Sequence, residues 1–93
     1  MPNHVNFYPK AGGTKADFVA IDEELCELLG KEIHPKHWVN NWYNCIAFDL
    51  ACGSSFDKLR GHYARYDDPE DKEMTKIIDY LDDNYTFLAW ATR

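Results

Sequence analysis

The dipeptide Asp68-Pro69 constrains this chain more than any other feature. Proline lacks an amide hydrogen and clashes with the carbonyl four residues back, so no regular helix runs through it, yet at the first helical position neither fault matters. Asp68 suits the N-cap before it, and Met74, Ile77, Ile78 and Leu81 then recur at helical spacing. The spacing predicts a helix from Pro69 to about Asp82, ended by Asn84. The same segment concentrates charge. Its eight acids, Asp67, Asp68, Glu70, Asp71, Glu73, Asp79, Asp82 and Asp83, are offset only by Lys72 and Lys76, so it carries −6, the net charge of the whole chain. Such a helix repels phosphates and anionic lipid and attracts basic protein surfaces.

Three further helices are predicted upstream. Asp22 to Leu29 reads as a short one, with Asp22 as N-cap, Glu23 and Glu24 at the positive end of its dipole, and Gly30 as the residue after it. Leu25, Leu28 and Leu29 form its apolar stripe. Pro35 starts a central helix that runs to Cys52 and closes at Gly53, with Trp38, Val39, Trp42, Tyr43, Ile46 and Leu50 inward, and Ala47, Phe48 and Ala51 widening the apolar surface. Ser54 caps the third helix, Asp57 completing a capping box, and Phe56, Leu59, Tyr63 and Tyr66 line its inner side. Val5 and Phe7 alternate near one end of the sequence, and Thr86 to Thr92 is rich in β-formers with both sides apolar. A lone strand is not stable in water, so these two segments are expected to pair. The predicted fold is mainly α: a compact four-helix domain with a small two-stranded β-ribbon joining the N- and C-terminal segments, residues 1–93 forming a single globular domain.

Size and composition set limits. A chain of 93 residues buries roughly 60–65% of its unfolded surface, so three Trp, six Tyr and five Phe must carry much of the core. Residues 1–10 hold no apolar run of the signal-peptide kind, and no stretch approaches a membrane span. Three cysteines do not make a complete disulfide framework. A reduced, cytoplasmic protein is the expectation.

No motif assigns a chemistry. His34, His37, Cys45 and Cys52 are donor types that zinc accepts. Cys45 and Cys52 are separated by about 10 Å along a helix, too far to share an ion or a disulfide. No metal or cofactor is therefore expected. Gly12-Gly13-Thr14-Lys15 lacks the spacing and order of a phosphate loop and reads as a surface turn. Cys26 sits among leucines and reads as an inert thiol. Asp49 shares a helix face with Trp42, Cys45, Ile46 and Cys52, where a carboxylate wants a partner; an ion pair with Lys58, Arg60 or Arg65 is expected. No catalytic residue is assigned.

Two surfaces remain as candidates for binding. One is the acidic segment together with Asn40, Asn41 and Asn44 on the polar side of the central helix, since Asn adapts its hydrogen bonds at interfaces. The other is a basic strip of Lys58, Arg60 and Arg65, which suits nucleic acid or an anionic ligand. The stretches from Ile21 to Gly30, His37 to Tyr43 and Ile77 to Thr86 resemble small accessory proteins of tailed bacteriophages and prophages. That resemblance implies a protein that acts by binding a host or defence component in the host cytoplasm. The leading expectation is thus a non-enzymatic interaction module, an inhibitor or adaptor that docks an acidic face on a basic protein surface. The alternatives are a nucleic-acid-associated or ligand-binding protein using the basic strip and, third, a metal- or cysteine-dependent enzyme.

Overall fold

The computed structural model describes residues 3–31, 42–65 and 68–91. Its elements run β1 (Asn3–Pro9), α1 (Phe18–Leu29), a π-helical turn (Tyr43–Ala47) continuing as one α-helical turn, α2 (Phe48–Ala51), then α3 (Phe56–Ala64), α4 (Pro69–Asn84) and β2 (Tyr85–Ala91). The architecture is the predicted one: mainly helical, with the two terminal segments paired as an antiparallel ribbon. Val5 lies opposite Ala89 and Phe7 opposite Phe87. Lys10 N–H donates to the Asn84 carbonyl at 2.9 Å, extending the same register one pair beyond the strands. Bonded and non-bonded pairs alternate in an antiparallel ladder. The even-numbered residues therefore bond across the ribbon, and the odd-numbered ones turn their amides and carbonyls outward. Ala16 fits this geometry, its N–H reaching the outward carbonyl of Phe7 at 2.7 Å.

The inner face of the ribbon carries Val5, Phe7, Phe87 and Ala89. Val5 and Phe7 join Ile21 and Leu25 of α1, Trp42, Ile46, Leu50, Phe56, Leu59, and Ile77, Ile78 and Leu81 of α4 in one buried cluster. The sequence made both sides of β2 apolar enough to bury, but the outer side is open: Thr86 is exposed, and Leu88 is 57% exposed. Two-stranded sheets have one face too many for a core this small, and the described helices pack on the other face.

An aromatic knot fastens α1 to the centre. Phe7 and Trp42 approach to 5.7 Å between ring centroids, and Phe18 and Tyr43 to 4.2 Å. Trp42 is 1% exposed and is a core residue. This knot explains why α1 begins at Phe18 and not after Asp22. Burying Phe18 rewards one more helical turn, and Asp17 supplies the cap by accepting Val19 N–H at 2.8 Å. Gly30 does end α1, in the left-handed region at φ 70° that favours glycine.

Of the predicted central helix, Pro35 to Asn41, including Trp38 and Val39, lies outside the described residues. The described part opens as a π turn, a wider coil than the α-period used to predict it. Ile46, Ala47 and Leu50 face inward as expected, whereas Phe48 points out and is 63% exposed. The cap of α3 is Ser55 rather than Ser54. Ser55 Oγ accepts Lys58 N–H at 3.2 Å, so Asp57 closes no capping box. Ser54 N–H instead bonds the Asp49 carbonyl at 3.0 Å and finishes the preceding turn. α4 starts as predicted, with Asp68 Oδ1 accepting Glu70 N–H and Pro69 in the first turn. It runs on to Asn84, whose side chain donates to the Tyr80 carbonyl at 2.8 Å.

Candidate partner-binding surface

The acids of α4 divide between its two flanks. Toward α3, one guanidinium gathers three carboxylates. Arg60 Nε reaches Asp79 at 2.6 Å, Nη1 reaches Asp57 at 2.7 Å and Nη2 reaches Asp82 at 2.8 Å. The hydrogen bonds that Arg60 donates to Asp82 and Asp79 push its pKa further above its already high value, so its charge is permanent. Asp79 and Asp82 therefore act first as a tie between helices. Asp71, half-buried on the same flank, adds its charge near Tyr63, whose hydroxyl pKa is pushed up to about 12, chiefly by burial. The basic strip loses its centre in this arrangement. Lys58 and Arg65 are exposed, but Arg60 between them is spent on three acids.

Toward α1 the pattern differs. Lys31, just past the end of α1, pairs with Glu73 near the start of α4 at 2.6 Å. Farther back along α1, Glu24 Oε2 accepts hydroxyl protons from both Tyr80 and Tyr85 at 2.7 Å. The two contacts order the helices antiparallel, Glu24 beside the end of α4 and Lys31 beside its beginning. The Tyr80 hydroxyl pKa is pushed up to about 12 and that of Tyr85 higher still, by burial first and by the Glu24 hydrogen bond second. Glu27 adds its charge to the Tyr80 side. Asp22, expected as a cap, lies inside α1 and accepts the indole N–H of Trp42. Its carboxyl pKa is raised by burial.

The result is an acidic surface made from two segments distant in sequence. α1 and α4 together hold ten acids, against Lys72 and Lys76 as their only bases. Adding Lys31 and Arg60 to the −6 of the 67–83 segment still leaves −4 there. Glu23, Glu27, Glu70 and Asp83 are exposed and make no ion pair among the described residues. Asp68 is occupied as a cap. Asp67, Asn40 and Asn41 lie outside the described residues, and of Asn44 only its place in the π turn is described. The contribution of α1 is readable in the sequence: residues 17 to 27 contain five acids and no base.

Little on the surface looks like a reaction centre. The Cys45 thiol is half-buried and its pKa is raised by burial and by the charge of Asp49, which makes it a poor nucleophile. Asp49 forms no ion pair with Lys58, Arg60 or Arg65, the expected partners; Arg60 is drawn to Asp57, Asp79 and Asp82 instead. Among the described residues no three His, Cys, Asp or Glu side chains converge as metal ligands; His34 and His37 lie outside them. No described helix is long and apolar enough to cross a membrane. No family model matches the chain, and searches of curated proteins and of solved structures find no match.

Proposed function

We propose that this protein is a non-enzymatic interaction module that docks the acidic surface of α1 and α4 on a basic surface of another protein. The observation that supports it most is that α1 and α4, tied by Glu24 to Tyr80 and by Lys31 to Glu73, carry ten acids in all. Like charges brought together across a fold destabilise it, so a benefit outside folding is the simplest account of their retention. On this reading the partner is a host or defence protein, the role that of inhibitor or adaptor, and the compartment the host cytoplasm, as the sequence resemblance to phage accessory proteins would imply. Binding of nucleic acid through Lys58, Arg60 and Arg65 is disfavoured by the three carboxylates on Arg60.

The test is capture from bacterial extract by the wild-type protein and by a variant in which Glu23, Glu27, Glu70 and Asp83 are changed to Lys. These four are exposed and make no ion pair among the described residues, so the variant is expected to keep the fold, as its circular dichroism would show. A basic protein captured at low salt, lost at high salt and lost with the reversal supports the reading. Capture that ignores both salt and reversal removes it. Retention of the wild-type protein on heparin would transfer the function to the basic strip.

A further inference from the structure

We propose that the outer edge of β2 is a second docking element, one that accepts an extended, basic segment of the partner as a third strand of the ribbon; the proposal rests on the acidic-surface reading for the sign of the partner's charge. The register places it. Odd-numbered residues turn their backbone groups away from β1, so the amides and carbonyls of Phe87 and Ala89 face outward. Among the described residues nothing bonds to them. Unpaired strand edges are templates for further pairing, and proteins ordinarily blunt them with charges, proline or a bulge. The strand Tyr85–Ala91 has none of these. The other edge of the ribbon is partly closed, since Ala16 occupies the Phe7 carbonyl and Pro9 offers no donor.

Two further observations choose the occupant. Leu88 stands 57% exposed on the outer face, beside the open edge, where an added strand would cover it with an apolar side chain. The strand leaves α4 directly after Asp83, which is exposed and makes no ion pair among the described residues, and the hydroxyl of Tyr85 is held by Glu24, so carboxylates flank its beginning. A basic segment lying along β2 gains main-chain hydrogen bonds from the edge and charge pairing at that end. A second copy of this chain would bring another −6 to the same place, which argues against self-pairing.

Amide hydrogen exchange followed by NMR tests this directly. The probes are a short synthetic peptide alternating valine and lysine, and the same peptide with glutamate for lysine. In the free protein the Leu88 amide, bonded across the ribbon, exchanges slowly, and those of Phe87 and Ala89 exchange at least about tenfold faster. The valine–lysine peptide slows Phe87 and Ala89 by about tenfold or more, and the glutamate version does not. Ala89→Pro removes the induced protection at Phe87 and leaves Leu88 protected, because the lost N–H takes no part in the ladder. Should that variant not fold, Leu88→Lys, on the open face, weakens the protection with the core untouched. Phe87 and Ala89 already protected in the free protein would overturn the proposal: in favour of self-pairing if the protection grows with protein concentration, in favour of cover by the chain itself if it does not. Equal binding of both peptides overturns the choice of a basic occupant. Peptide contacts confined to α1 and α4 would overturn the edge and leave the acidic surface standing.

Discussion

α4 meets α3 along one flank and α1 along the other, and the same residue type behaves differently on each. Toward α3, Asp79 and Asp82 converge on Arg60, and charge is answered by charge. Toward α1, a single lysine answers Glu73, and Glu24 accepts from the hydroxyl of Tyr80, joined there by Tyr85 at the start of β2; on the side of α1 toward the central segment, Asp22 is answered in the same way by the indole of Trp42. The first flank is an electrostatic joint that salt weakens. The second is an aromatic joint on which negative charge is tolerated, because neutral donors satisfy the carboxylates without cancelling them. A surface that must stay acidic can be built only in the second way.

The largest expected effect attacks the aromatic knot that holds α1 to the centre. Trp42→Ala removes the centre of the knot with Phe7, Phe18 and Tyr43 and is expected to cost about 3–5 kcal/mol. Denaturant unfolding at low and high salt should give the same loss; a loss below about 1 kcal/mol would move Trp42 out of the core. Next comes Asp22. Asp22→Ala strands the buried indole N–H and should cost about 1–3 kcal/mol. Asp22→Asn keeps an acceptor and removes the charge whose burial raises the carboxyl pKa, so it should be neutral or stabilising. If Asn is as damaging as Ala, the charge matters there and the contrast between flanks fails.

Arg60→Ala tests the electrostatic joint. Its pairs are half-exposed, so the total is about 1–2 kcal/mol at low ionic strength and shrinks in about 1 M salt. An effect that salt leaves unchanged would make Arg60 a packing residue. The smallest effect is invisible at neutral pH. Tyr80 and Tyr63 keep their protons up to about pH 12 in the folded protein, against 10.0 for an ordinary tyrosine. The unfolded chain loses those protons first, so their contribution is complete below pH 10 and disappears as pH rises toward 12. Unfolding midpoints measured from pH 8 to 12 should fall in that window, and Tyr80→Phe should make the fall shallower.

What the sequence reveals here depends on the range of the interaction. Asp68-Pro69 and the Ile77, Ile78, Leu81 stripe act within a few residues, and α4 follows from them. Alternation in the terminal segments, with no other partner available, is enough to pair β1 with β2. The start of α1 is not legible because Asp17 and Asp22 are equally good caps. Burial of Phe18 against residues from two other elements decides between them. The π turn is missed for a related reason: an α-period describes the sequence well, and only packing around Ile46 and Ala47 shows the wider coil. For the binding surface, the acids of α4 are plain in the sequence. Their division between a joint and a free face is not, since Arg60 lies 19 and 22 residues from its two partners there.

The ribbon also has a bearing on the order of events during synthesis. Val5 pairs with Ala89, so nearly every described residue lies inside the loop their contact closes. Closing a flexible loop of that length costs about 4 kcal/mol in chain entropy. The helices must do most of their packing first, shortening the effective loop before β1 can find its mate. While Tyr85–Ala91 is still inside the ribosomal tunnel, β1 is made but has no partner, and Val5 and Phe7 have nothing to complete. The emerging chain therefore waits on β2, and its core is complete only once Tyr85–Ala91 has emerged to pair with β1.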